Sequence, residues 1–118
     1  MKKERFIKKG WNDISREDKW NLADEIIKVA FIIYNSGIIV AEKLEMPDEI
    51  LSNIRQRSPR ASGHANSETF LNRNLEEMLA PEREALPEAI RKVAEIIGND
   101  PRVVAKKLEV PEKYILKQ

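Results

Sequence analysis

Leu22, Ile26, Val29, Ala30 and Ile33 recur at three- and four-residue intervals. That spacing puts them on one face of an α-helix. The same stripe returns 64 residues later as Leu86, Ile90, Val93, Ala94 and Ile97. Around the stripes, residues 22–51 and 86–115 align without a gap, with 14 of 30 positions identical. Composition alone would give roughly two identities. The chain therefore reads as an internal duplication, which must be recognised before any single motif is interpreted.

Stop and start signals divide each copy into helices. Ser15-Arg16-Glu17-Asp18 fits a capping box, with the serine accepting a free amide and acids at the positive helix end. A long helix should run from there to about Tyr34, ended by Asn35-Ser36-Gly37, since Asn and Gly tolerate left-handed backbone. A short helix follows over about Ile38 to Glu45. Pro47 suits a first helical position, and the third helix should reach about Arg57. The stretch SPRASGHAN, residues 58–66, reads as a loop. Ser67 could cap an extra helix with Phe70, Leu71, Leu75, Met78 and Leu79 on its apolar face. In the second copy, Pro87 would sit in the first turn of a helix ending at Gly98-Asn99. Asp100-Pro101 should cap and open the next helix, and Pro111 the last.

No segment alternates with period two, so the expected fold is all-α: one compact helical domain of six to seven helices over 1–118, built from two duplicated three-helix units. Repeat one covers 16–57, a linker with the extra helix 58–80, and repeat two 81–118. Residues 1–10 form a basic N-terminal arm with Lys2, Lys3, Arg5, Lys8 and Lys9 against Glu4. Charge changes the picture little. Of 118 residues 35% are charged, yet the net charge is only +1, which fits neither a strongly basic scaffold nor an acidic disordered chain. The absence of cysteine excludes disulfides and thiolate metal sites. No apolar run reaches the roughly 18–20 residues that span a bilayer, and the basic start lacks the apolar stretch of a signal peptide. A soluble, cytoplasmic protein with no membrane partner is expected.

The copies differ on a second face. Ile27, Phe31, Tyr34 and Ile38 in copy one align with Arg91, Glu95, Gly98 and Arg102 in copy two. Apolar residues in only one copy make its long helix either the covered centre of the domain or a subunit interface, with a homodimer as the implied assembly.

The ends of both copies carry one further pattern. Val40, Ala41, Leu44, Glu45, Met46, Pro47 and Leu51 match Val104, Ala105, Leu108, Glu109, Val110, Pro111 and Ile115. This resembles the helix-turn-helix of DNA-binding regulators, in which a small residue lets two helices approach and a Leu seats the turn on the core. The resemblance covers about thirty residues per copy. It implies a small DNA-binding transcriptional regulator made of two helix-turn-helix-like units, used as a pseudo-dimer or a true dimer. Ser52, Asn53, Arg55, Gln56, Arg57 and Arg60 would supply base and phosphate contacts. The basic arm, Lys113 and Lys117 would add phosphate contacts. The pattern departs from the family at Glu45 and Glu109, where Gly is favoured, and at Asp48, Glu49 and Glu112, acids that would face phosphates. The alternative is a helical protein-interaction module or a structural subunit without nucleic-acid contact. A continuous positive face would favour DNA; a second-face stripe left exposed would favour a protein partner.

Catalysis finds no footing. His64 is the only histidine and lies in the loop; nothing completes a metal or nucleophile site around it. Glu76-Glu77 and Asp48-Glu49 are sequence neighbours, so on a helix they diverge by about 100°. The four glycines are scattered and make no phosphate-cradling loop. No enzyme, cofactor or metal is expected, and Trp11 and Trp20 should pack on the core.

Overall fold

The computed structural model describes Ile7, residues 10–57 and residues 70–115. These form five α-helices and no strand: α1 Arg16–Ile33, α2 Gly37–Lys43, α3 Asp48–Arg57, α4 Ala80–Ile97 and α5 Pro101–Lys107. Single 3-10 turns lie at Trp11–Asp13, Leu75–Glu77 and Glu112–Tyr114. The described residues are all-helical, with five α-helices where the sequence leads one to expect six or seven over the whole chain. Ser67 lies outside the described residues, and 70–79 holds only the Leu75–Glu77 turn in place of the extra helix. Likewise Pro111 opens a 3-10 turn and not a third helix in the second half.

The ends of α1 show how local chemistry sets its limits. Ser15 Oγ accepts the Asp18 N–H at 3.0 Å, the serine half of the expected cap. At the other end the left-handed residue is Tyr34 (φ 61, ψ 47), not Asn35 or Gly37. The positive φ falls directly after the last helical residue, whatever occupies that place; in the second half it is Gly98 (φ 74). Asn35 then turns the chain, accepting the Ser36 N–H and donating to the Phe70 carbonyl at 2.9 Å. Ser36 caps α2 and Gly37 is its first residue.

α4 begins earlier than its prolines suggest. Pro81 stands in the first turn, and Pro87 lies inside the helix, buried on its core face. An interior proline removes one backbone hydrogen bond and costs about 3 kcal/mol. The added first turns are anchored from outside. Glu82 accepts the Leu79 N–H at 3.0 Å. Arg83 donates from Nε to the Met78 carbonyl at 2.9 Å and from Nη2 to the Glu76 carbonyl.

The element bounds recur at the 64-residue offset. α1 and α4 each span 18 residues, and α2 and α5 each span 7. Leu44 and Leu108 share the torsions φ −86, ψ 7. Glu45 and Glu109 follow at φ 59 and φ 60. The next amides close the same bonds, Met46 to the Ala41 carbonyl and Val110 to the Ala105 carbonyl.

One core joins both halves. Leu22, Ile26 and Ile33 from α1 and Leu86, Ile90 and Ile97 from α4 are fully buried, as are Leu44, Ile50, Ile54 and Leu108. Burying each such side chain contributes about 1.5–3 kcal/mol by area transfer. α1 and α4 form the most extensive helix pair, and α1 also packs on α2 and α3. Arg73 bridges α1 and α4. Its Nη1 donates to the Ile32 carbonyl at 3.3 Å and to Glu82 at 2.8 Å, setting the end of α1 beside the start of α4.

Candidate interaction surfaces

α3 presents its polar side chains because Ile50 and Ile54 take its buried face. Ser52, Arg55 and Gln56 are exposed and Asn53 is half-buried. The front of the helix is acidic and occupied. Glu49 accepts from the Trp11 indole N–H at 2.9 Å and pairs with Lys19 at 3.6 Å. The Trp11 hydrogen bond, then the Lys19 charge, hold its carboxyl below the ordinary carboxylate value. Trp11 thus packs partly on the core and also closes the front of α3.

Arg57 is engaged as well. Its guanidinium lies 4.7 Å from the centroid of the Trp20 ring, and its Nε is 3.3 Å from Asp24. Beside it is an open hollow of about 870 Å³ lined by Arg16, Glu17, Trp20, Asn21, Gln56 and Arg57. Lys113 is held elsewhere, on Glu76, which also accepts from the Tyr114 hydroxyl. These bonds lower the Glu76 pKa and raise those of Lys113 and Tyr114. Lys2, Lys3, Arg5, Lys8, Lys9, Arg60 and Lys117 lie outside the described residues. Arg57 and Lys113 are thus each paired with a carboxylate of the chain, Asp24 and Glu76. Arg55 and Arg57 share the end of α3, whereas Lys113 belongs to the C-terminal turn.

The two turns that resemble helix-turn-helix corners meet each other. Lys43 Nζ donates to Glu109 at 2.9 Å, and Lys107 Nζ donates to Glu45 at 2.6 Å. The pairs are reciprocal: each copy gives the same lysine and the same glutamate. Both glutamates are left-handed, where a non-glycine residue costs about 1–2 kcal/mol. Lys-Leu-Glu stands unchanged in both copies, so its recurrence was visible. The crossed partnering was not, because it depends on how the halves pack.

The second-face stripe of copy one divides. Ile27 and Ile38 are half-buried and pack against the core, so they support the fold more than they offer surface. Phe31 and Tyr34 are 64% and 58% exposed. Their counterparts Glu95 and Gly98 are exposed too, but polar or small; Arg91 is half-buried and donates to the Ile115 carbonyl at 2.7 Å.

The Tyr34 ring is held by a residue the sequence did not single out. The Arg73 guanidinium sits 4.4 Å from its centroid, and the Arg73 side chain is 9% exposed. The pairing with Glu82 raises the Arg73 pKa and lowers that of Glu82. Asn72 adds two bonds, its N–H to the Ile33 carbonyl at 3.0 Å and its Nδ2 to the Tyr34 carbonyl at 3.1 Å. Leu79, 69% exposed, is joined to the same group through Glu82.

Among the described residues no cluster of three or more metal-ligating side chains occurs, and no helix is long and apolar enough to cross a membrane. No protein-family model matches the chain, and no characterised protein or solved structure is significantly similar to it.

Proposed function

We propose that this chain is a non-catalytic helical protein-interaction module, formed from two copies of one unit, that docks its partner on the C-terminal end of α1. The observation that carries this reading is the asymmetry of the copies at that end. Phe31 and Tyr34 are exposed aromatics where the second copy has Glu95 and Gly98. Scattered apolar residues need no explanation, but aromatic groups clustered on a water-facing helix end mark binding surfaces. The charges point the same way. Lys19, Lys28, Lys43, Arg57, Arg73, Lys92, Lys107 and Lys113 are each within ion-pair distance of a carboxylate of the chain. Exposed Arg55, Arg102 and Lys106 lie outside these pairs, so the pairing reduces, without removing, the cations that could displace counterions from a phosphate backbone.

A test is in-cell cross-linking with the wild-type chain and with Phe31→Glu, read by mass spectrometry. A cross-linked product, with itself or another protein, that Phe31→Glu abolishes is the expected result. Equal capture by both overturns the reading.

A second reading, DNA binding by a helix-turn-helix-like regulator, is favoured by two observations. The α2–α3 corner has a left-handed residue at Glu45, as such turns require, and Ser52, Arg55 and Gln56 are exposed on the following helix. Fluorescence anisotropy with random-sequence duplex DNA separates the two. Micromolar binding that weakens steeply with salt favours the regulator; its absence favours the interaction module.

A further inference from the structure

We infer that the hollow between the first turns of α1 and the end of α3 binds a small nucleotide, an adenine nucleoside monophosphate. This site lies at the opposite end of α1 from Phe31 and Tyr34 and is independent of the interaction-module reading.

Trp20 opens the case. Large aromatic side chains are mostly buried in folded chains, and Trp11 packs on the core as expected. Trp20 is half-buried but does not pack against that core, contrary to the expectation from sequence. It walls the hollow of about 870 Å³ instead, a volume within the ~300–1,000 Å³ of small-molecule sites. The Arg57 guanidinium lies 4.7 Å from the centroid of its ring, and Asp24 holds that guanidinium at 3.3 Å. The two groups form a stack that is pinned in place and still open to water, since the Arg57 side chain is 43% exposed. Aromatic rings and guanidinium planes are the surfaces on which nucleobases stack.

The remaining lining matches the edges of such a ligand. Asn21 and Gln56 are exposed and hydrogen-bond to no other described residue. A primary amide sets a donor beside an acceptor, the complement of an adenine edge. Adenine has such an edge on either side of its amino group, so two amides suit it better than one. Arg16 is exposed and in no ion pair among the described residues. Its guanidinium is available to a phosphate in a charge-assisted contact. Glu17, next to it in the lining, is an acceptor for ribose hydroxyls. The same carboxylate opposes further negative charge, which limits the ligand to one phosphate.

The second copy shows that these groups do not serve the fold. Arg16, Glu17, Trp20 and Asn21 align with Ala80, Pro81, Glu84 and Ala85, whereas the neighbouring core residue Leu22 is kept as Leu86. α4 reaches the same length as α1 without any of the four.

Tryptophan fluorescence of the full chain, excited where adenine does not absorb, tests the site with AMP, adenosine, UMP and a short oligoadenylate. AMP should change the emission saturably, with a Kd on the order of 10 µM–1 mM for a ligand of its size in an open site. Trp20→Phe should abolish the response. Asn21→Ala and Gln56→Ala should each weaken AMP about tenfold, the loss of one well-made hydrogen bond. Arg16→Gln should weaken AMP but leave adenosine unchanged. Glu84→Gln, at the counterpart of Trp20, should change nothing. All of these positions except Trp20 are exposed, and far-UV circular dichroism checks that each variant is folded. The absence of a saturable change up to millimolar AMP overturns the inference. So does a response that persists in Trp20→Phe or that neither amide substitution weakens. UMP bound as tightly as AMP removes the adenine assignment, and oligoadenylate bound far more tightly than AMP makes the hollow part of a strand-binding groove; either result overturns the inference as stated.

Discussion

Substituting Tyr34 by alanine and by glycine isolates the backbone strain at the end of α1. Both changes remove the ring, so they lose equally its contact with Arg73 at 4.4 Å, a cation–π term of about 0.5–1 kcal/mol at an exposed site. What remains is the backbone at φ 61, ψ 47. Alanine keeps a Cβ against the following carbonyl oxygen and retains a left-handed penalty of about 1–2 kcal/mol. Glycine has no such penalty, and its larger unfolded-state entropy returns about 0.4–1 kcal/mol of the difference. Tyr34→Gly should therefore be more stable than Tyr34→Ala by about 1 kcal/mol. Gly98→Ala, at the same place in the second half, should cost a similar amount. Lys92, exposed inside α4, supplies the internal control: there alanine should exceed glycine by about 1 kcal/mol, the opposite order. Urea unfolding followed by far-UV circular dichroism resolves such differences when the m-value is unchanged. If alanine equals or exceeds glycine at position 34 while the Lys92 pair behaves as expected, the left-handed strain assigned to Tyr34 is refuted.

The crossed pairs give a second expectation. Lys43→Glu should destabilise modestly by setting a second carboxylate against that of Glu109, and adding Glu109→Lys should restore most of the loss. The coupling energy should lie near the 0.2–1 kcal/mol typical of exposed pairs, measured by a double-mutant cycle in urea. A third concerns pH. Because the folded Glu76 pKa lies below its ordinary 4.5, its hold on Lys113 and Tyr114 contributes stability above that value, lost as pH falls through the lower folded pKa. The raised Tyr114 pKa has the reverse sign: its contribution is present below the ordinary 10.0 and lost as pH rises through the higher folded value. Glu76→Gln should therefore flatten the acid limb of a stability–pH profile and bring the Tyr114 ultraviolet titration back towards 10.0. Finally, Ile26→Ala and Ile90→Ala, equivalent and fully buried, should each cost about 2–5 kcal/mol in one cooperative transition. Two separate transitions would show that the halves do not share a core.

Much of this molecule could be read from periodicity, and its failures have a common cause. The stripes from Leu22 to Ile33 and from Leu86 to Ile97 settle into the core because a single apolar face is sufficient to decide burial. The caps at Ser15 and Asp100 form where expected because a capping side chain reaches only two or three residues along the chain. Residues 70–79 and 111–115 hold 3-10 turns where the sequence predicts helices, because an apolar face is compatible with any compact segment. Leu75 and Met78 are buried as expected, but in a turn held by Arg83 and by the Glu76 contacts to the C-terminal turn. The surface was least legible. Ile27, Phe31, Tyr34 and Ile38 form one class in the sequence, yet the fold half-buries the two isoleucines and leaves both aromatics in water. Which member of an apolar stripe stays exposed depends on the packing of α2 and of residues 70–79 against α1, and no local rule encodes that. The arginines show the same limit: Arg57 is spent on Trp20 and Asp24, and Arg73 on four groups drawn from α1, α4 and the segment before it. Charge counted along the chain shows neither these pairings nor which aromatics stay exposed, as Phe31 and Tyr34 do at the end of α1.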